Sequence, residues 1–245
     1  EKRNKVYSTN YVIGFILILT STVAIALTGL REGTKEQAAL NEEIFNKRAI
    51  LAAVNSHIPG GRSVKDLSDP EVIELFTNNI EQVTLNMQGE PVTTVMADKI
   101  DMGKERKKSE SERLLPLFIY ENEGEKFYIL SVRGNGLWDE IWGNIALEGD
   151  LNTVTGVSFD HKGETPGLGA EIKDNPAFGK QFEGRKIYEN GQYKSIDVVK
   201  GGVKNQNHEV DGISGATITG DGVAEMLFRG IKYYEPYLAT LSSTN

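Results

Sequence analysis

The chain has 245 residues, 39% of them apolar, enough for a sizeable core plus appendages. Acidic residues outnumber basic ones, 35 to 27, for a net charge of −8, which argues against nucleic acid as a partner because phosphate backbones demand clustered Lys and Arg. With no cysteine, the chain offers no disulfide, thiolate metal site, iron–sulfur ligation or thiol nucleophile. His57, His161 and His208 are too widely spaced to form a recognisable metal-ligand pattern.

Tyr11–Leu30 (YVIGFILILTSTVAIALTGL) contains no charged residue. As a helix it is about 30 Å long, the thickness of a bilayer core, and it satisfies its own backbone groups in lipid. A cleaved signal peptide is the competing reading; the apolar run exceeds the usual signal core. Lys2, Arg3 and Lys5 flank one end, and Arg31 and Lys35 flank the other among Glu32 and Glu36, a slight bias towards a cytoplasmic N-terminus. The span holds no Asp or Glu to bind an ion.

From Arg31 the Glu/Ala/Leu/Gln-rich stretch predicts a continuing helical stalk, ended by Ile58-Pro59-Gly60-Gly61. Asp69-Pro70 predicts a short helix over Glu71–Asn79. Asp98–Arg113, charged and poor in apolar residues, reads as a solvated loop or surface helix. Leu117–Tyr120 and Lys126–Val132 predict a hairpin, and Gly143–Glu148 with Thr153–Asp160 a second, hence a mainly antiparallel sheet. A helix is expected from Asn175-Pro176 to about Phe182, a strand over Ser195–Val199, and a helix over Thr219–Leu238 with Val223, Met226, Leu227, Ile231 and Tyr234 on one side.

Three segments can carry chemistry. Asp211-Gly-Ile-Ser-Gly-Ala-Thr-Ile-Thr219 offers hydroxyls at Ser214, Thr217 and Thr219 just before a helix, whose N-terminal N–H groups suit a phosphate. An ordinary loop with a Ser/Thr cap fits that local chemistry at least as well, and neither a Walker loop nor a dinucleotide fingerprint is matched. Gly163-Glu-Thr-Pro-Gly-Leu-Gly169 follows a predicted strand and contains a tight-turn signal; Thr165 and Leu168 offer a polar handle and an apolar wall to a flat ring, or the segment is a structural turn. Gly134-Asn-Gly-Leu-Trp138 places a Trp after flexible glycines, for core packing or for a cofactor wall.

Together GNGLW, GETPGLGAEI, VVKGG and DGISGAT, in that order behind one membrane helix, resemble the FMN-binding domain shared by the C subunit of the Na⁺-translocating NADH:quinone oxidoreductase and the G subunit of the Rnf complex. The resemblance covers most of the chain, and the extended Leu51–Leu115 region favours the former. It implies an α+β fold: an N-terminal transmembrane helix followed by an FMN-binding domain with a mainly antiparallel sheet flanked by helices. The corresponding boundaries are a cytoplasmic tail 1–10, the span 11–30, a helical stalk 31–56, an extension 57–115, the FMN-binding domain 116–240 and a tail 241–245.

By resemblance, Thr217 is esterified to the phosphate of FMN by a separate flavin transferase that uses FAD and a divalent metal. Asp211, Ser214, Gly215 and Ala216 form the recognised segment. Trp138, Glu164, Thr165, Leu168 and Gly169 approach the ring, and Lys200 lies near it. His161 and Lys162 are outside the family pattern and receive no role. The implied function is electron relay within a multi-subunit Na⁺-translocating NADH:quinone reductase that includes a second flavinylated membrane protein. The implied location is the bacterial inner membrane, single-pass, with a periplasmic C-terminal domain, and neither a catalytic residue nor a metal site on this chain. The alternatives are the Rnf G subunit and a membrane-tethered scaffold without flavin.

Overall fold

The computed structural model describes residues 7–242; Lys2, Arg3, Lys5 and the last three residues, which belong to the expected tails, lie outside them. The chain divides into two compact units, the first ending at Phe45 and the second beginning at Asn46. Helix α1 (Thr9–Ala52) contributes residues to both. Its apolar stretch reaches a mean hydropathy of 2.2 over 18 residues, none of them buried, so it has the length and composition to cross a membrane. It ends at Ala52, earlier than Ile58. The chain then passes through tight turns, with Gly60 and Gly61 in the left-handed region at φ 75° and 66°.

The second unit is built on one antiparallel sheet. Helix α2 (Asp69–Asn79) begins where expected, with Pro70 in its first turn and a capping box between Ser68 and Glu71. Strands β1 (Ile80–Leu85) and β2 (Pro91–Val92) follow, then the one-turn helix α3 (Met102–Glu105). The two expected hairpins are β3 (Leu115–Asn122) with β4 (Glu125–Asn135), and β5 (Glu140–Leu147) with β6 (Val154–His161). The strand order is β2-β1-β3-β4-β5-β6, every neighbour antiparallel. Short helices α4 (Glu171–Asp174) and α5 (Pro176–Lys180) lead to the small hairpin β7 (Tyr188–Glu189) and β8 (Gln192–Tyr193). Strands β9 (Asp197–Val199) and β10 (Glu209–Asp211) form a separate parallel pair, followed by helices α6 (Thr217–Lys232) and α7 (Glu235–Ser242).

Both faces of the sheet are covered. Leu117, Ile119, Leu130 and Val132 join Val223, Met226, Leu227 and Ile231 of α6 in one core. Across the sheet Phe118 meets Phe76 of α2 with ring centroids 5.9 Å apart, and the Tyr120 hydroxyl donates to the His57 carbonyl at 3.0 Å. Two-sided burial explains why β3 and the centre of β4 read as continuous apolar runs and not as an alternation.

Three expectations need correction. The strand expected from Ser195 starts at Asp197, because Ser195 sits at φ 65°, a conformation no strand accommodates. The expected final helix is two helices, parted at Tyr233–Tyr234. Pro236 has no N–H to continue the α6 ladder and stands in the first turn of α7, where none is needed. The buried Tyr234 hydroxyl there lies 2.9 Å from the carbonyls of both Pro116 and Ser131, which share its one proton. The 98–113 segment is largely exposed as expected, but Glu105 is buried and Arg106 half-buried.

Candidate cofactor site

The three motif segments converge at the N-terminal end of α6, and one buried carboxylate joins them. Glu164 is 4% exposed. Its Oε1 accepts the Trp138 backbone N–H at 2.9 Å, and its Oε2 accepts the Thr219 hydroxyl at 2.6 Å. Glycines make the approach possible. A Cβ on Gly169 would lie 2.3 Å from Glu164 Oε2, and one on Gly136 2.5 Å from Oε1. His161 adds a third tie, its Nδ1 accepting the Glu164 N–H at 3.2 Å. Sequence reasoning gave His161 no part and counted Thr219 only as one hydroxyl among three; no local signal marks either as a partner of Glu164.

The other residues stand around this latch. The turn Thr165-Pro166-Gly167-Leu168 closes with the Leu168 N–H on the Thr165 carbonyl at 3.1 Å, Gly167 taking φ 74°. The Thr165 hydroxyl receives the Trp138 indole N–H at 3.1 Å. Trp138 is otherwise 69% exposed, Ile218 57%, Leu137 47% and Leu168 42%. Large apolar groups left in solvent on converging segments form the kind of surface a flat ring covers.

Asp211 ends β10, and its backbone is bracketed by the Gln181 amide, which accepts its N–H at 2.8 Å and donates to its carbonyl at 3.1 Å. Gly212 N–H continues the β9–β10 pairing to the Val199 carbonyl at 2.7 Å. Lys200, the residue after Val199, is therefore brought beside the start of the Ser/Thr loop; it is exposed and forms no ion pair among the described residues. Ser214 is exposed, and Gly215 turns the chain at φ 78° with Leu168 Cδ2 only 2.7 Å from where a Cβ would stand. Ala216 is buried, and its carbonyl accepts the Gly220 N–H at 2.9 Å. Thr217 is the first residue of α6 and is exposed. Its hydroxyl thus meets solvent at a helix end where N–H groups lack intrahelical acceptors.

The site suits FMN chemically: an accessible hydroxyl and helix N-terminus for a phosphate, apolar side chains for a ring and a nearby cation. A cavity of about 440 Å³ shares no residue with it; it lies between the α2–β1 junction and the β3–β4 turn and is lined by Asn79, Glu81, Glu121 and Glu123 among others.

Comparison with known proteins agrees with this chemistry. Residues 136–232 match the FMN-binding domain family. The C subunit of the Na⁺-translocating NADH-quinone reductase from Pseudomonas aeruginosa is 32% identical over 248 aligned positions, covering 94% of each chain. Its counterpart from Vibrio alginolyticus is 31% identical, with 93% of this chain and 91% of the relative covered. The crystal structure of the counterpart from Parabacteroides distasonis superposes with a TM-score of 0.73 at 36% identity, covering 83% of this chain and 96% of that one.

Proposed function

We infer the function from one premise: this chain belongs to the family of C subunits of the Na⁺-translocating NADH-quinone reductases, members of an oxidoreductase complex, and contains the FMN-binding domain. The finer reading is that FMN is held covalently, its phosphate esterified to Thr217, and that the chain relays electrons between subunits on the way from NADH to quinone. The observation that carries it is an exposed hydroxyl at the first position of α6, next to exposed Ile218, on a helix start that Glu164 ties to the segment carrying exposed Trp138.

When bound, the flavin supplies one- and two-electron redox chemistry; this chain's residues supply position and electrostatics. Thr217 anchors the phosphate, and the first-turn N–H groups of α6 donate towards it. Trp138 and Leu168 offer apolar contact, and Thr165 a hydroxyl already oriented by the indole. Lys200 places a positive charge beside the loop, which favours negative charge on a neighbouring ring. Gly169 and Gly136 leave Glu164 room to hold wall and anchor in one register. Asp211, Ser214, Gly215 and Ala216 are the segment a flavin transferase reads, and the exposure of Ser214, Gly215 and Thr217 supports that access.

Single-pass anchoring through α1 in the bacterial inner membrane, a periplasmic second unit, and partner subunits that include a second flavinylated membrane protein complete the proposal. Membership of the Na⁺-translocating reductase is favoured over the role of the Rnf G subunit because the named relatives align over nearly the whole chain, extension included.

The test is the mass and fluorescence of the chain purified from its native host. The wild type should carry one FMN less one water and glow under ultraviolet light on a denaturing gel. Thr217→Ala should lose both while melting within about 0.5 kcal/mol of wild type, as expected for an exposed position. A wild-type protein with Thr217 bare would overturn the covalent assignment.

A further inference from the structure

The turn that carries Trp138 is clasped at its base by a side chain from outside the FMN-binding segment. Gly134 and Asn135 end β4, Glu140 begins β5, and the Gly136 N–H closes the turn on the Asp139 carbonyl at 2.8 Å. Arg106, from the charged segment between β2 and β3, reaches both legs. Its Nη1 donates to the Gly134 carbonyl at 3.1 Å and approaches Glu140 Oε1 at 3.4 Å, while its Nη2 donates to Asn135 Oδ1 at 3.2 Å. A planar guanidinium with several donors can span two strands in this way, and a single ammonium cannot.

The segment is built to hold that arginine. The Asp101 side chain caps α3 by accepting the N–H groups of Gly103 and Lys104. The Arg106 N–H bonds the Met102 carbonyl, and Arg113 Nη2 donates to the Arg106 carbonyl at 3.2 Å. Buried Glu105 accepts the Leu114 N–H at 3.0 Å and pairs with Lys108. On the receiving side Glu140 is shared with Arg133 Nη2 at 2.5 Å, and the Arg133 guanidinium lies over Trp142, 4.8 Å from the ring centre. Hydrogen bonding to Arg133 holds the Glu140 carboxyl below the usual carboxylate range, so it stays charged opposite Arg106. From the other side α6 presses on the same base: a Cβ on Gly222 would lie 2.3 Å from the Asn135 carbonyl oxygen.

We propose that Arg106 is a positioning residue for the cofactor site: it clamps the two legs of the 134–140 turn together, so that Trp138 is presented at a fixed distance from the start of α6. The inference rests on the reading of Trp138 as a wall for the flavin, and it gives the 98–113 segment a task at the site. The clamp acts through hydrogen-bond geometry and not through charge alone.

The test uses the full chain with Trp142→Phe, so that Trp138 is its one indole. In chain that has not been flavinylated, Arg106→Met should raise the acrylamide quenching constant of Trp138 about two-fold as the turn loosens locally. Arg106→Lys, which keeps the charge but cannot span both legs, should behave like Arg106→Met. Lys107→Met, which removes an exposed cation of the same segment that forms no ion pair among the described residues, should leave quenching near the parent value. In flavin-loaded chain, Arg106→Met should alter the visible circular dichroism of the flavin while the covalent increment stays. Unchanged quenching in Arg106→Met, full rescue by Arg106→Lys, or equal loosening by Lys107→Met would overturn the clamp. A bare Thr217 in wild type would instead sink the flavin reading, and the quenching series would still decide the clamp.

Discussion

Removing the Glu164 carboxylate should cost the second unit about 2–4 kcal/mol. Glu164→Ala orphans two donors, the Thr219 hydroxyl, which is 1% exposed, and the Trp138 N–H. Each unsatisfied buried donor costs about 1–3 kcal/mol. Part of that is returned because the variant no longer desolvates a carboxylate, so the net falls below the simple sum. For a unit of this size, spanning residues 46–245, about 2–4 °C of Tm follows each kcal/mol, which gives a drop of about 4–16 °C. The assay is thermal unfolding of the full chain in detergent, followed by near-ultraviolet circular dichroism, for wild type, Glu164→Ala, Thr219→Val and the double variant. Since both residues share one hydrogen bond, the double variant should fall short of the sum of the singles by about 0.5–3 kcal/mol. Glu164→Gln keeps an acceptor for Trp138 and an amide that Thr219 can face, so it should lose less than Glu164→Ala. A Glu164→Ala melt within about 1 °C of wild type, or strict additivity with Thr219→Val, would refute the latch.

Two further outcomes follow from the core and its phenols. Phe182 is fully buried, edge-on to Phe159 at 5.3 Å and to Phe178 at 5.4 Å, so Phe182→Ala should cost about 3–5 kcal/mol, read as a lowered urea midpoint at unchanged slope. Burial pushes the Tyr120 and Tyr188 phenols up to about 12, Tyr188 with added help from Glu235. The folded chain thus holds these protons more tightly than the unfolded one, so their contribution is complete below about pH 10 and is lost as pH rises towards 12. Tm measured against pH should be flat to about 10 and then fall; Tyr120→Phe should melt lower at neutral pH, having lost its bond to the His57 carbonyl, yet show a shallower alkaline decline.

The elements legible in the sequence were those whose signal is local. Glu123-Gly124 and Gly149-Asp150 mark the two hairpin turns, and Glu123 and Gly124 take φ 53° and 84°. Asn175-Pro176 begins α5, with Asn175 Oδ1 accepting the Ala177 N–H at 3.1 Å. Strand β1 was not legible because IEQVTL mixes Glu and Gln into a short run, and its place beside β3 is a long-range pairing that no local pattern encodes. The site divides in the same way. Its hydroxyls, glycines and Trp138 can be read in three short motifs, whereas Glu164 meets partners 26 residues before and 55 residues after it, and only the fold makes them neighbours. Arg106 was hidden for a different reason: in a stretch of Lys, Arg, Asp and Glu, its composition says solvent, and the bonds to Gly134 and Asn135 span 28 and 29 residues.

That division bears on which hydroxyl can be an anchor. Ser214, Thr217 and Thr219 are chemically similar alcohols within six residues; local chemistry does not rank them, and only the family resemblance selects Thr217. The fold does. Thr219 donates its proton to a buried carboxylate at 2.6 Å and is almost without solvent contact, so no transferase can approach it without breaking the latch. Ser214 is exposed but lies in the turn before the helix, next to Gly215, where the chain has not yet aligned its N–H groups. Thr217 combines exposure with the first position of a helix of 16 residues, where free N–H groups and the positive end of the dipole favour a phosphate ester. The same bond that withholds Thr219 pins the first turn of α6, so the carboxylate that disqualifies one hydroxyl also steadies the other.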